Sequence, residues 1–209
     1  MTFLLSGADV RAQELPTERR EVLKFFASNN LELTNAFYTH PKILITALNG
    51  PVVGLSAALV SHSDFIYATP QTFLLTPFTS LGLVTEGASS ISFVQRLGIS
   101  KANEALIMSK RITSEELERT GFVNKVFDVK AGDTETFMGL VRKEVEDRLG
   151  EHLNSRSLIS VKELIRKPYK AELERANLEE VLRGTERFEE GAPKRMFEDV
   201  ASGRKKHKL

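Results

Sequence analysis

One carboxylate, Glu86, sits in the stretch LGLVTEGASS (81–90), between an apolar run and a cluster of small residues. A carboxyl in apolar surroundings has its charged form disfavoured, so its pKa rises toward values that suit a general base. The same letters also spell a helix start, with Thr85 as N-cap and Glu86 in the first turn, where acidic side chains are favoured. Two upstream segments bear on the choice. In SGAD (6–9) a small–Gly–small run lets backbone N–H groups face a ligand without side chains in the way. In NGPVVGLSAA (49–58) a buried strand candidate enters a glycine turn and then a helix of small residues. Free N–H groups at such a helix start can donate to a developing negative charge. Taken singly, the three segments read as ordinary construction: a turn, a close strand–helix contact and a helix cap.

The surrounding pattern supplies elements to position them. Residues 13–39 carry apolar positions at three- and four-residue spacing and predict helix. Short apolar runs at 42–48, 64–68, 72–76 and 122–129 predict strands, and 54–62 predicts a small helix. Glu86 to Leu97 and 100–109 read as helices, with Gly98 ending the first. TSEELERTG (113–121) carries a capping box, Thr113 with Glu116, and the terminating Gly121. From about residue 133 the pattern is almost entirely helical and highly charged, which divides the chain into an α/β core, 1–132, and a helical region, 133–209.

Composition removes several function classes. The 29 basic residues balance 28 acidic ones, against the basic excess of a nucleic-acid binder. With no cysteine there is no disulfide, thiol nucleophile or thiolate-ligated metal, and the four histidines lack metal-ligand spacing. The most apolar stretch, 43–60, is interrupted by Asn49, Gly50, Pro51 and Gly54, so no membrane span is expected. The start lacks the basic region of a signal peptide.

In this order and spacing, SGAD, NGPVVGLSAAL, PFTSLGLVTEGASS and ITSEELERTGFVNKVF resemble the crotonase (enoyl-CoA hydratase/isomerase) superfamily, and within it the fungal peroxisomal Δ3,Δ2-enoyl-CoA isomerases. The resemblance implies an α/β fold, a spiral of ββα turns with a helical C-terminal region. SGAD begins here at Ser6, so the first strands of the spiral are expected to be missing and a sheet edge exposed. It further implies an oxyanion hole for an acyl-CoA thioester, built from the backbone N–H groups of Ala8 and Leu55, with Glu86 as catalytic base. Asn30 matches an asparagine that would orient the base, although a helix-surface amide is the plainer reading. Hydratases carry two carboxylates where this chain has Ala58 and Phe78, which implies isomerisation rather than hydration. No cofactor is implied, since coenzyme A belongs to the substrate. The C-terminal helices would build a homo-oligomer, a trimer or hexamer.

The basic tail ends in His207-Lys208-Leu209, a variant of the Ser-Lys-Leu address read by the peroxisomal import receptor. Lys162, Lys194 and the 204–206 run are candidates for the CoA phosphates, Phe25-Phe26 for an acyl tunnel or for core, and Asp9 and Asp64 for fixing loops. The charged helices at 139–151 and 162–190 are expected to present solvated faces. Two alternatives stand beside the isomerase: a catalytically impaired acyl-CoA-binding or assembly paralogue, and a family enzyme of polyene-acid biosynthesis.

Overall fold

Prolines and glycines set the strand lengths. In the computed structural model, which describes residues 18–204, β1 (Ile45–Leu48) stops at Asn49-Gly50-Pro51, and a two-residue strand, β2 (Val52–Val53), follows it. Next come β3 (Phe65–Ala68), ended by Thr69-Pro70, and β4 (Phe73–Leu75), ended by Thr76-Pro77. A proline has no N–H to give a ladder, so each run closes where one arrives. The last two strands are β5 (Ile112–Thr113) and β6 (Lys125–Val126).

These strands form two small sheets. One has the order β1-β3-β6, with both pairings parallel; the other has the order β2-β4-β5, with β2 and β4 parallel and β5 antiparallel. Consecutive strands therefore alternate between sheets, β1 then β2, β3 then β4, with helices closing each turn of a spiral. Among the described residues β1 has a strand neighbour on one side only, so it is a sheet edge.

Alternation along β3 sorts the core. Ile66 and Ala68 face the main cluster with Leu48, Val52, Leu74, Phe93 and Phe122, whereas Tyr67 joins Phe127, Phe137 and Val141 on the opposite face. Burying side chains of this size contributes roughly 1.5–3 kcal/mol each. The expected strand over 122–129 shrinks to β6 because side chains occupy its ladder positions. Asn124 Oδ1 accepts the Ile66 N–H at 2.7 Å, and Glu118 Oε1 accepts the Val126 N–H at 2.8 Å.

The helices are α1 (Arg19–Phe25), α2 (Glu32–Tyr38), α3 (Leu55–Val60), α4 (Ser89–Leu97), α5 (Ile99–Leu106), α6 (Ser114–Thr120), α7 (Thr134–Leu149), α8 (Ser155–Arg166), α9 (Lys170–Glu189) and α10 (Ala192–Ala201). α6 has the expected capping box and ends at Gly121, φ 80°. The helix expected over 13–39 is interrupted, within its described part, by a π-helical turn, Phe26–Leu31, between α1 and α2. No described helix is long and apolar enough to cross a membrane.

The long helix α9 backs the N-terminal helices and α4. Leu173 and Ala176 pack with Tyr38 and Ala88, and Val181 packs with Val22. Its charged appearance hides a buried stripe, so the expected solvated face covers only part of it: Asn177 and Glu180 are 1% and 6% exposed. α8 buries no residue, but two of its charges are paired. Lys162 Nζ lies 2.6 Å and Arg166 Nη2 3.0 Å from the carboxylate of Asp64, which also accepts the Leu44 N–H at 2.7 Å. Burial pushes the Asp64 carboxyl up, but the Leu44, Lys162 and Arg166 donors outweigh it and hold it below the usual range. Lys162 is thus committed to Asp64 and the Lys42 carbonyl.

Candidate active site

Glu86 does not open a helix. It precedes a turn in which Gly87 (φ 70°) and Ala88 (φ 55°) are both left-handed, and α4 begins only at Ser89. The anion that caps α4 comes instead from α9. Glu180 Oε2 accepts the Ala88 N–H at 2.7 Å and Oε1 accepts the Ser90 N–H at 3.0 Å, and the side chains of Ser90 and Thr85 also bond this carboxylate. With the helix start satisfied by Glu180, the Glu86 carboxyl is left to other partners.

One such partner is Asn30. It lies in the π-helical turn, is 4% exposed rather than on a helix surface, and its side-chain amide hydrogen-bonds Glu86. The extra residue of a π-turn rotates the following side chains relative to an α-helix, a distortion common at functional sites. Desolvation by burial, reinforced by the like charge of Glu180 and opposed by the Asn30 bond, raises the Glu86 pKa to about 7. Burial raises Glu180 as well. Its two oxygens each accept a backbone N–H, bonds that favour the ionised carboxylate and oppose the rise.

The start of α3 stands against the same turn. Gly54, with φ 65° and ψ −136°, leads directly into Leu55, the first residue of the helix. A Cβ added at Gly87 would lie 2.7 Å from the Ala58 Cβ and 3.2 Å from Leu55 Cδ1. The backbone of the Glu86-Gly87 turn therefore rests on the first turn of α3. Among the described residues the Leu55 N–H has no acceptor, as the first N–H of a helix requires none within it. Ala58 is fully buried under Gly87, and Phe78, 2% exposed, belongs to the main core. Neither position offers a carboxylate.

His62 fixes the turn from below. Its Nε2 lies 2.8 Å from the Gly87 carbonyl, which makes it the donor, and its ring packs edge-on to Tyr38. Burial, with the Gly87 carbonyl opposing and Arg166 and Arg96 assisting, lowers its pKa to about 4, so the ring is neutral near pH 7.

Asn30 thus meets Glu86 through its side chain, and the turn that follows Glu86 rests on the helix that begins at Leu55. Ala8 and the tail residues His207, Lys208 and Leu209 lie outside the described residues, as do the side chains of Phe25 and Phe26. Chemically, the arrangement is one weakly acidic carboxyl, bonded by an amide, in a turn packed on the start of a helix. The enoyl-CoA hydratase/isomerase family pattern matches residues 3–192. The chain belongs to that family. It is 55% identical over 222 residues to the Delta(3,5)-Delta(2,4)-dienoyl-CoA isomerase of Pyricularia oryzae, covering 99% of this chain and 79% of that protein. It is 31% identical to the 3,2-trans-enoyl-CoA isomerase of Saccharomyces cerevisiae, covering 99% of this chain and 77% of that one. In three dimensions it matches an enoyl-CoA hydratase/isomerase from Pseudoalteromonas atlantica T6c with a TM-score of 0.75 at 24% identity, over 84% of this chain and 68% of the other. The expected crotonase fold is therefore the observed one.

Three members of the site escaped the sequence reading: Glu180, Asn177 and His62. Glu180 left a signal. Leu173, Ala176, Asn177, Glu180, Val181 and Gly184 recur at helical spacing, which places an acidic residue on the buried stripe of α9. His62 left none, because its partner is a backbone carbonyl.

Proposed function

We propose that this protein is an enoyl-CoA isomerase that moves the double bond of an unsaturated fatty acyl-CoA from position 3 to position 2, with Glu86 as its single base. The observation that carries the reading is the Glu86 carboxyl, bonded by Asn30, raised to a pKa of about 7 and followed by Gly87, which rests on the start of α3. In the proposed reaction ionised Glu86 takes a proton from C2 of the 3-enoyl thioester. The C2–H electron pair spreads over the thioester oxygen, C2 and C4 as a dienolate. The backbone N–H of Leu55, with that of Ala8 as second donor, would stabilise the oxygen; losing one such donor typically costs about 3–4 kcal/mol of barrier. Glu86 then returns the proton at C4, which leaves the double bond between C2 and C3. Proton and electron pair balance within the substrate, so the step calls for no cofactor beyond the CoA that the substrate carries.

Hydration would require a second carboxyl to handle water, and Ala58 and Phe78 do not supply it. Glu180 is engaged with the start of α4. A second reading, transfer between C2 and C6 of a 3,5-dienoyl-CoA, is favoured by the name of the Pyricularia relative. C2 and C4 are two bonds apart, a span that one carboxylate serves with its two oxygens. C2 and C6 are four bonds apart, which favours two groups. A homo-oligomer fits the apolar side chains of Val161, Leu164 and Ile165, which are 54–70% exposed on α8. A peroxisomal site of action is part of the same proposal and rests on His207-Lys208-Leu209.

The test is to purify the full chain and assay it with 3-enoyl-CoA and 3,5-dienoyl-CoA, alongside Glu86→Gln. The reading expects turnover of the 3-enoyl substrate and its loss in the variant. A folded wild type inert on both substrates favours the impaired paralogue, and faster turnover of the dienoyl substrate favours the second reading. A reporter ending in His207-Lys208-Leu209 should accumulate in peroxisomes; a diffuse signal removes that part.

A further inference from the structure

Asn30 and Glu86 lie on separate segments, and both segments are held by one face of α9. Glu180 grips the Glu86 turn through Ala88 and Ser90, as described above. Asn177, one helical turn earlier, donates from Nδ2 to the Leu31 carbonyl at 3.0 Å, at the end of the π-turn that carries Asn30. The Asn177 side chain also bonds Tyr38, which stacks edge-on with His62 beneath Gly87. Both α9 residues are buried, and polar groups in an apolar helix stripe are costly unless their bonds do something the fold needs. Leu173, Ala176 and Val181 supply apolar contacts of α9 beside them.

We propose that Asn177 and Glu180 are a pair of positioning residues that align the Asn30 amide with the Glu86 carboxyl, so that the docked α9 sets both the geometry of the base and the pH at which it works. The proposal rests on Glu86 being the base. Asn177 acts by geometry alone, since it carries no charge. Glu180 acts by geometry and by its negative charge. The groups that face the turn are Glu180 and, at the Gly82 carbonyl, Arg187 from α9; Asn30 from the π-turn; neutral His62 after α3; and Arg96 and Arg166 beyond His62. Of these, Glu180 is the one whose charge opposes ionisation of Glu86.

The experiment is a pH profile of kcat and KM with 3-enoyl-CoA for the full-length wild type, Glu86→Gln, Glu180→Gln and Asn177→Leu, with thermal unfolding of each. Glu180→Gln keeps the shape, removes the charge and turns an amide N–H toward one backbone donor. It should lower the plateau kcat roughly tenfold or more, because small misplacements of a reacting group are costly. It should also move the acid limb to lower pH by about one unit, with KM nearly unchanged. Asn177→Leu should lower kcat similarly and leave the limb where it is. The proposal is overturned if Glu180→Gln folds and keeps the wild-type limb and kcat. Should Glu180→Gln fail to fold, Asn177→Leu decides, and an unchanged kcat there sinks the pair. Activity retained in Glu86→Gln is a different failure, that of the base assignment itself.

Discussion

Gly87 is where the backbone of the site meets the helix behind it, and replacing it with alanine separates two costs that the structure places at one residue. The first is conformational. At φ 70° an L side chain brings its Cβ against its own backbone, which costs about 1–2 kcal/mol. The second is steric. The new Cβ would lie 2.7 Å from the Ala58 Cβ, a methyl fixed to a helix backbone that cannot swing away, whereas the 3.2 Å contact with Leu55 Cδ1 involves the far end of a flexible side chain. Overpacking of this kind costs about 1–3 kcal/mol. Gly87→Ala should therefore destabilise by about 2–5 kcal/mol, which lowers the unfolding midpoint by roughly 4–20 °C for a chain of this size. The partner variant, Ala58→Gly, removes the methyl on the other side at about 1 kcal/mol for glycine in a helix. In the double variant the steric part should disappear and the conformational part remain, a coupling of about 1–3 kcal/mol in denaturant titrations. If the two single effects add to within about 0.5 kcal/mol, the Gly87–Ala58 contact does not set the turn, and the account of how α3 supports Glu86 is wrong.

Three further outcomes follow from the same coordinates. With Glu86 as the proposed base, which must be ionised to accept a proton, kcat/KM should climb about tenfold per pH unit below about 7 and level above it; a flat profile from pH 5.5 to 8 refutes that assignment. The folded state holds the Glu86 proton more tightly than the unfolded chain, so its contribution to stability is intact below about 4.5 and lost as pH rises through 7. Glu86→Gln should accordingly exceed the wild type in stability by about 1–3 kcal/mol above pH 7, with the gap closing in acid, and equal unfolding midpoints at pH 8 contradict this. Asp64→Ala strands Lys162 and Arg166 beside the Leu44 N–H and should cost about 3–5 kcal/mol by denaturant titration, whereas a loss under 1 kcal/mol means the cluster is solvated.

Features defined within a few residues were legible in the sequence. The strand runs expected at 42–48, 64–68 and 72–76 appear as β1, β3 and β4, because apolar patterning acts on its own segment. The capping box of α6 could be read because donor and acceptor are three residues apart. The cap of α4 could not. Thr85-Glu86 satisfies the same local rule, yet Glu180, 92 residues from Ala88, takes the position. A local pattern states what a helix start will accept, not which of several carboxylates will be brought to it. The strand at 122–129 was overread for a related reason, because apolarity reports burial and says nothing of side chains such as Asn124 and Glu118 that take over ladder bonds.

The displaced cap bears on the raised pKa of Glu86. A carboxylate at the first turn of a helix gains from the free N–H groups and the dipole, and both would draw its pKa down. Here those N–H groups are already taken by Glu180, which leaves Glu86 with a single amide donor and adds a like charge nearby. Each part of that exchange pushes the same way. Glu180 makes the helix start stable without Glu86, and its charge makes Glu86 harder to ionise. Asn30 opposes the rise through one side-chain hydrogen bond and does not cancel it. A glutamate that sequence reasoning assigns equally to a cap or a base is relieved of the cap by a second glutamate that does the capping.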